Sequence, residues 1–277
     1  WEELGEIDSL ATKAEKLRQL ADQLTQPANG RMYRTIVNRI WKQMMGRGIV
    51  EPVDEMDNEP WSPDLLDWLA VDFVENGYDL KRLIAQIAKS KIYQSASIAV
   101  KSPDLLLAEN YRFHGVVQRR ITAEQFADAV GNLSSPLFDS TEIKFRPYEL
   151  IPEAQPSFGF ARASLVANNG FLKALGRPNR EIVSTSRDSQ ASLLQALELS
   201  NGEKLNQSLV RGGEKWASTF TDPVSLTENL YAKALLRKPN PKELEIAKKA
   251  LGPKPSPEAV QDLLWAIFLL PEFQLIY

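Results

Sequence analysis

The stretch Met32–Val50, "MYRTIVNRIWKQMMGRGIV", decides the fold class. Wound as an α-helix, it places Ile36, Ile40 and Met44 on one face with Val37, Trp41 and Met45 beside them, an apolar stripe wide enough to pack. Arg34, Asn38 and Lys42 fall together on another face. Gly46 then stands where a helix takes a left-handed closing residue, and Arg47 sits by the negative pole of the helix dipole. A phosphate cradle puts its glycines at a helix N-terminus, after a strand. Here they come at the opposite pole, so the stretch reads as a packed helix closed on glycine, with Trp41 in the core. Arg31, Arg34 and Arg47 remain candidates for gripping an acidic partner, the nearest being Glu51, Asp54, Glu55, Asp57 and Glu59.

The same helical grammar recurs along the chain. Ser62-Pro63, Ser102-Pro103, Asp222-Pro223, Asn240-Pro241 and Ser256-Pro257 each set a capping side chain before proline. The side chain accepts from an orphan N–H, and proline at the first helical position sacrifices no bond. Asn240 with Glu243 and Thr122 with Gln125 add capping-box spacing. Helical periodicity predicts one long amphipathic helix through Leu4, Ile7, Leu10, Ala14, Leu17, Ala21 and Leu24. It predicts others through Leu80, Leu83, Ile84 and Ile87, through Phe126, Ala129 and Val130 up to Gly131, and through Leu193, Leu194 and Leu197 up to Gly202. No alternating strand pattern competes, so the expected class is all-α, a multi-helix globular array.

Residues 134–169 are the exception. Pro136, Pro147, Pro152 and Pro156 forbid a long helix there, and Phe138, Phe145, Tyr148, Phe158 and Phe160 favour an ordered, packing loop. That loop splits the main domain, 30–277, into halves at 30–133 and 170–277, with 1–29 an N-terminal helix belonging to a preceding region. The chain opens on Trp1 rather than Met, which reads as a piece processed or excised from a longer polypeptide.

Composition excludes several functions. The chain has 277 residues, no Cys and one His, so thiolate catalysis, disulfides, iron–sulfur clusters and Cys-ligated zinc are ruled out. A net charge of −3 argues against a dedicated nucleic-acid binder. No apolar run approaches the roughly 20 residues of a membrane helix. Single His114 is too little for an imidazole-based metal site and reads as structural or solvated. Sequence alone assigns no cofactor.

What remains are weaker constellations. The acidic loop 51–59 offers Asp54, Asp57 and Glu59 as oxygen ligands for Ca²⁺, without ordered EF-hand spacing; the simpler reading pairs it with neighbouring arginines. Arg119-Arg120 is a compact basic pair able to grip carboxylate or sulfate, or merely to form ion pairs. Trp61, Trp68, Tyr148 and Phe158 could stack on sugar rings, although Trp68, at helical spacing, is expected in the core. Asp54 with Asp57, or Glu149 with Glu153, could serve as general acid and base on a polysaccharide.

Several blocks resemble, in order, the planctomycete PSD domain family. They are "VNRIWKQMMGRGIVEPVDEM" (37–56), "PDLLDWLAVDFVENGYDLKRLIAQIAKSKIYQSAS" (63–97), "QRRITAEQFADAV" (118–130), "FLKALGRPNRE" (171–181), "SQASLLQALELSNG" (189–202) and "DLLWAIFLLPEFQLIY" (262–277). The resemblance runs from Gly30 to Tyr277 and implies a domain of unknown function. Such domains follow a PSCyt domain in large exported proteins, often with a cytochrome-c-like module. It therefore implies an extracytoplasmic binding or scaffold module, docking a PSCyt-type domain, a cytochrome-like module or an acidic polysaccharide, and carries over no activity. A polysaccharide hydrolase or lyase is the alternative. This chain departs from the family in reading Trp61-Ser62 where members often have His, and Ser184-Thr185-Ser186 where members often have Cys-x-Cys.

Overall fold

A computed structural model describes residues 5–100, 104–107, 111–140, 162–167, 169–179, 187 and 192–276. The class is all-α: the only strands among these residues are the two-residue β1 (Arg119–Arg120) and β2 (Leu275–Ile276). The chain divides into two compact units, Trp1–Arg119 and Arg120–Ile276. The division falls ahead of the helix holding Phe126 and Val130, so these residues join the core of the second unit rather than a half ending at 133.

The first unit holds α1 (Lys13–Thr25), α2 (Gly30–Met45), α3 (Pro63–Glu75), α4 (Leu80–Lys89) and α5 (Asp104–Leu107). Helix α2 buries Tyr33, Val37, Trp41 and Met45 against Leu66, Leu69 and Phe73 of α3 and Leu83 and Ile87 of α4. It closes on Gly46 at φ 85°, the left-handed residue the sequence predicts, whose N–H donates to the Lys42 carbonyl. Asp79 caps α4, whereas Ser62 precedes α3 without a side-chain cap bond. The Ser102-Pro103 pair lies outside the described residues.

Two expectations for this unit need correction. The N-terminal helix starts only at Lys13, because the Thr12–Glu15 capping box fixes its origin there. It buries none of its residues. Lys16 Nζ reaches the Ser9 carbonyl and Gln19 the Asp8 N–H, so residues before the helix cover its polar side while Leu17, Leu20 and Leu24 stay exposed. Trp68 is not a core residue: it is 55% exposed, because Leu66, Leu69 and Phe73 define the buried face of α3 and Trp68 falls opposite.

The second unit comprises α6 (Ala123–Leu133), a 3-10 turn (Ala163–Leu165), α7 (Gly170–Ala174), α8 (Leu193–Asn201), α9 (Glu203–Thr219), α10 (Pro223–Leu235), α11 (Pro241–Leu251), α12 (Pro257–Leu269) and α13 (Pro271–Gln274). Asp222, Asn240 and Ser256 each cap the helix that proline opens, and Thr122 with Gln125 completes the predicted capping box. Leu205, Leu209 and Trp216 of α9 pack with Val260, Leu264, Ile267 and Phe268 of α12 and with Leu226 and Leu230 of α10. Helix α6 runs past the predicted stop at Gly131 to Leu133, whose carbonyl accepts from Trp216 Nε1 at 2.6 Å. Helix α8 exists where predicted, but Leu193, Leu194 and Leu197 face solvent and Gln195 and Leu199 face inward. Arg120 explains part of that inversion, since it donates to Gln195 Oε1 at 2.7 Å.

Candidate functional site

The segment that follows α2 carries most of the sequence-predicted site residues of the first unit. Asn38, placed by periodicity on a polar surface face, is completely buried and organises this segment. Its Oδ1 accepts from the N–H groups of Ile49 (2.7 Å) and Val50 (3.1 Å), and its Nδ2 donates to the carbonyls of Val50 and Val53, both at 3.0 Å. Glu51 holds the other side, accepting from Gly48 N–H at 2.7 Å and pairing with Lys42 at 2.9 Å. A glycine is required at 48, since a Cβ there would overlap the Val50 carbonyl. No spacing rule identifies Asn38; the only hint is an amide among cations on a helix that otherwise packs.

Arg47 does not reach outward. It is 7% exposed, its Nε donates to the Leu106 carbonyl and its terminal nitrogen to the Gly48 carbonyl at 2.9 Å. Its guanidinium covers the Tyr111 ring. Burial lowers its pKa from the ordinary value, against smaller opposing effects from Tyr111 and Glu51. Trp61 is likewise engaged: Nε1 donates to the Gly48 carbonyl at 3.2 Å, and the indole stacks on Phe113 with centroids 5.4 Å apart and planes inclined by 17°. A sugar ring would have to displace Phe113 from that face.

Two of the remaining arginines of α2 meet acidic residues foreseen as their neighbours, and the third meets an acid of α3 that was not. Arg31 binds Asp57, with one contact at 2.9 Å, and Arg39 binds Asp54 at 2.6 Å. Arg34 pairs with Asp67 of α3. Asp54, Asp57 and Glu59 gather no metal-ligating group, and none of three or more His, Asp or Glu forms among the described residues. Arg119 donates to the Gln43 carbonyl, and burial lowers its pKa. His114 is exposed. Tyr148, Phe158, Glu149 and Glu153 lie outside the described residues, as does Ser184-Thr185-Ser186.

An open groove of about 600 Å³ lies between α2 and α3, ended by Pro27, Ala28 and Gly30. Tyr33, Ala70, Val71 and Val74 make its apolar lining, and Arg34, Asp67 and Glu75 its polar rim. The Tyr33 hydroxyl donates to the Thr25 carbonyl; burial, then its hydrogen bond with Tyr78, pushes its pKa up to about 12, so it is a neutral donor and no base at neutral pH.

The model of the PSD1 family, described as protein of unknown function (DUF1553), matches residues 17–251. The chain belongs to that family. This is the family its sequence blocks resemble. The PSD1 match starts inside α1, taking in Leu17, Leu20 and Leu24, and ends at Leu251, the last residue of α11. Core residues of α12 lie beyond it. Among curated proteins none matches the chain, and among solved structures none does.

In the second unit, the PSD1 blocks meet at an ion-pair cluster. Glu124, in the first turn of α6, receives Arg177 at 3.3 Å and Arg187 at 2.7 Å, and the Arg177 side chain is nearly inaccessible. Asp128, one turn on, accepts from the Ala163 N–H at 2.9 Å. Burial raises the Glu124 pKa, but the Arg187 hydrogen bond, a backbone bond and both guanidinium charges outweigh it and leave it below the ordinary value. A carboxylate held ionised and doubly paired ties α6 to the segment after α7; it is no general acid at neutral pH.

Proposed function

We propose that this chain is a non-catalytic helical docking module that receives a neighbouring domain of the same exported bacterial polypeptide, in the first instance a PSCyt-type domain. One observation carries the reading: the four cations of α2 are each taken up by an internal ion pair, while large apolar side chains stand in solvent. Leu17, Leu20 and Leu24 on α1, Trp68 and Val71 on α3, and Leu193, Leu194 and Leu197 on α8 are all exposed. Apolar side chains exposed side by side on one helix face are a surface suited to contact with another macromolecule. The extracytoplasmic setting comes with the planctomycete resemblance, and a cytochrome-like module is a second occupant of the same kind.

An acidic polysaccharide receives less support, because Arg31, Arg34, Arg39 and Lys42 already face Asp57, Asp67, Asp54 and Glu51. Hydrolysis or elimination would require two carboxylates facing a shared substrate. Asp54 and Asp57 instead meet separate arginines. The test is calorimetric titration of this chain with a recombinant PSCyt-type domain, alongside an acidic-polysaccharide turnover assay. Saturable heat with the domain and no turnover is the expected result; turnover without domain binding would overturn the docking reading.

A further inference from the structure

The outer face of α3 has a composition of its own. Asp64, Trp68, Val71 and Glu75 are the exposed stripe of this helix. Successive steps of four, three and four residues keep them in line along one side of it. Trp68 and Val71 are 55% and 53% exposed, adjacent at the middle, and one carboxylate stands at each end. Eleven residues of helical rise put the two carboxylates about 16 Å apart. Helix α3 contains four acids, Asp64, Asp67, Asp72 and Glu75, and no cation. Arg34 and Arg82 answer Asp67 and Asp72, the two acids off the stripe.

The stripe continues into the groove. Val71 and Glu75 line both, and Ala70, Val74 and Tyr33 carry the apolar surface inward between α2 and α3. An exposed indole beside an open apolar groove is the arrangement of a binding anchor, because a large rigid ring desolvates much area at small entropic cost.

We propose that this face of α3, with its groove, binds an amphipathic helical segment of a partner protein that presents large apolar side chains between two basic residues about three turns apart. The proposal rests on the docking reading above and names the surface and the chemistry of the occupant. The apolar centre supplies the affinity and the terminal carboxylates select the sign of the partner's charge. The same carboxylates repel phosphate and sulfate, which disfavours nucleic acid, anionic lipid and acidic glycan on this face.

The test uses the whole chain and fourteen-residue helix-prone peptides with leucines at their fifth and eighth positions. One peptide carries lysines at its first and twelfth positions and the other glutamates there. Fluorescence anisotropy at low and physiological salt is the readout. The lysine peptide should bind at least about tenfold more tightly than the glutamate peptide. Trp68→Ala should weaken it by about tenfold or more, as loss of a central anchor does. Asp64→Asn with Glu75→Gln should abolish the discrimination between the peptides. All these positions are exposed, and unchanged circular dichroism and melting would establish that the variants fold. No binding by either peptide, equal binding of both, or indifference to Trp68→Ala would each overturn the proposal. Titration of Trp68→Ala with the PSCyt-type domain separates the two readings: undiminished binding there would retain the docking function and sink the α3 assignment alone.

Discussion

The guanidinium of Arg47 lies 3.7 Å from the centroid of the Tyr111 ring. It is a buried cation whose counterpart is a ring face and two carbonyls, those of Leu106 and Gly48, rather than a carboxylate. That arrangement needs a planar fork able to stack and donate in different directions at once, which lysine cannot reproduce. Arg47→Lys should therefore destabilise the first unit by about 2 kcal/mol, and Arg47→Ala by about 3 kcal/mol through unpaired carbonyls and lost stacking. Urea unfolding measures both; a Lys variant with the parental midpoint would remove the anchoring role.

Trp41 is the second anchor of this unit, buried on α2 and in edge contact with Phe113 at a centroid separation of 6.5 Å. Trp41→Ala should cost about 3–5 kcal/mol, the usual penalty for emptying a large aromatic site. An unchanged melting curve would show that the α2 stripe does not carry the fold.

These two residues mark what a single sequence reveals here. Trp41 belongs to a periodic stripe, and periodicity with caps located α2, α4, α6, α8, α10, α11 and α12 because each rests on local chemistry: Gly46 at the left-handed closure, Asn240 with Glu243, Ser256 before Pro257. Arg47 looked like a surface cation because its partners, Leu106 and Tyr111, are about sixty residues away in sequence. The same limit hid the inward turn of Gln195, set by Arg120, and the burial of Asn38, set by the segment after α2; Trp68 turns outward because Leu66, Leu69 and Phe73 take the buried face of α3. Helix α9 escaped for a different reason: Gly212-Gly213 sits mid-helix, where glycine weakens helical propensity. Of the candidate site, the arginine–aspartate pairs were legible as proximity in sequence; the groove between α2 and α3 was not, because a concavity belongs to two helices at once.

Asn38 satisfies four backbone groups in the segment after α2. Asn38→Ala would leave them buried without partners, and Asn38→Asp would bring a charge into the core in place of two donated bonds. Each should lower stability by about 3 kcal/mol or more. Hydrogen exchange at Ile49 and Val50 gives the local readout in Asn38→Ala, since both amides lose their side-chain acceptor there and should lose protection. Retained protection would refute the organising role.

Gly213 tests why α9 contains glycines at all. A Cβ there would overlap the Pro257 carbonyl and stand 3.2 Å from the Gln261 nitrogen, both on α12. Glycine buys the close approach of the two helices. Gly213→Ala should therefore destabilise by about 1–3 kcal/mol through overpacking, despite alanine's better helical propensity. Gly30→Ala is the control, because nothing stands within 4 Å of a Cβ at that position. It should be neutral or stabilising by up to about 1 kcal/mol. Equal responses of the two variants in thermal melting would rule out helix contact as the reason for Gly213.

Glu124 gives the pH dependence of the second unit. Its folded-state pKa is depressed below the ordinary 4.5, burial opposing and the Arg187 and Arg177 interactions prevailing. A depressed folded pKa means that the unfolded chain binds the proton more readily, so the stabilisation is complete above the unfolded value and is lost as pH falls through the folded one. Glu124→Gln removes the carboxylate charge that faces buried Arg177 and should cost about 3 kcal/mol at neutral pH. Because protonation removes the same charge from the parent, the gap between parent and variant should narrow as pH is lowered from about 6 into the acid range. Urea midpoints collected across that range decide the matter. A gap that stays constant with pH would mean that Glu124 stabilises the fold by shape and neutral hydrogen bonding alone, and the ion-pair account of how α6 is tied to the segment after α7 would fail.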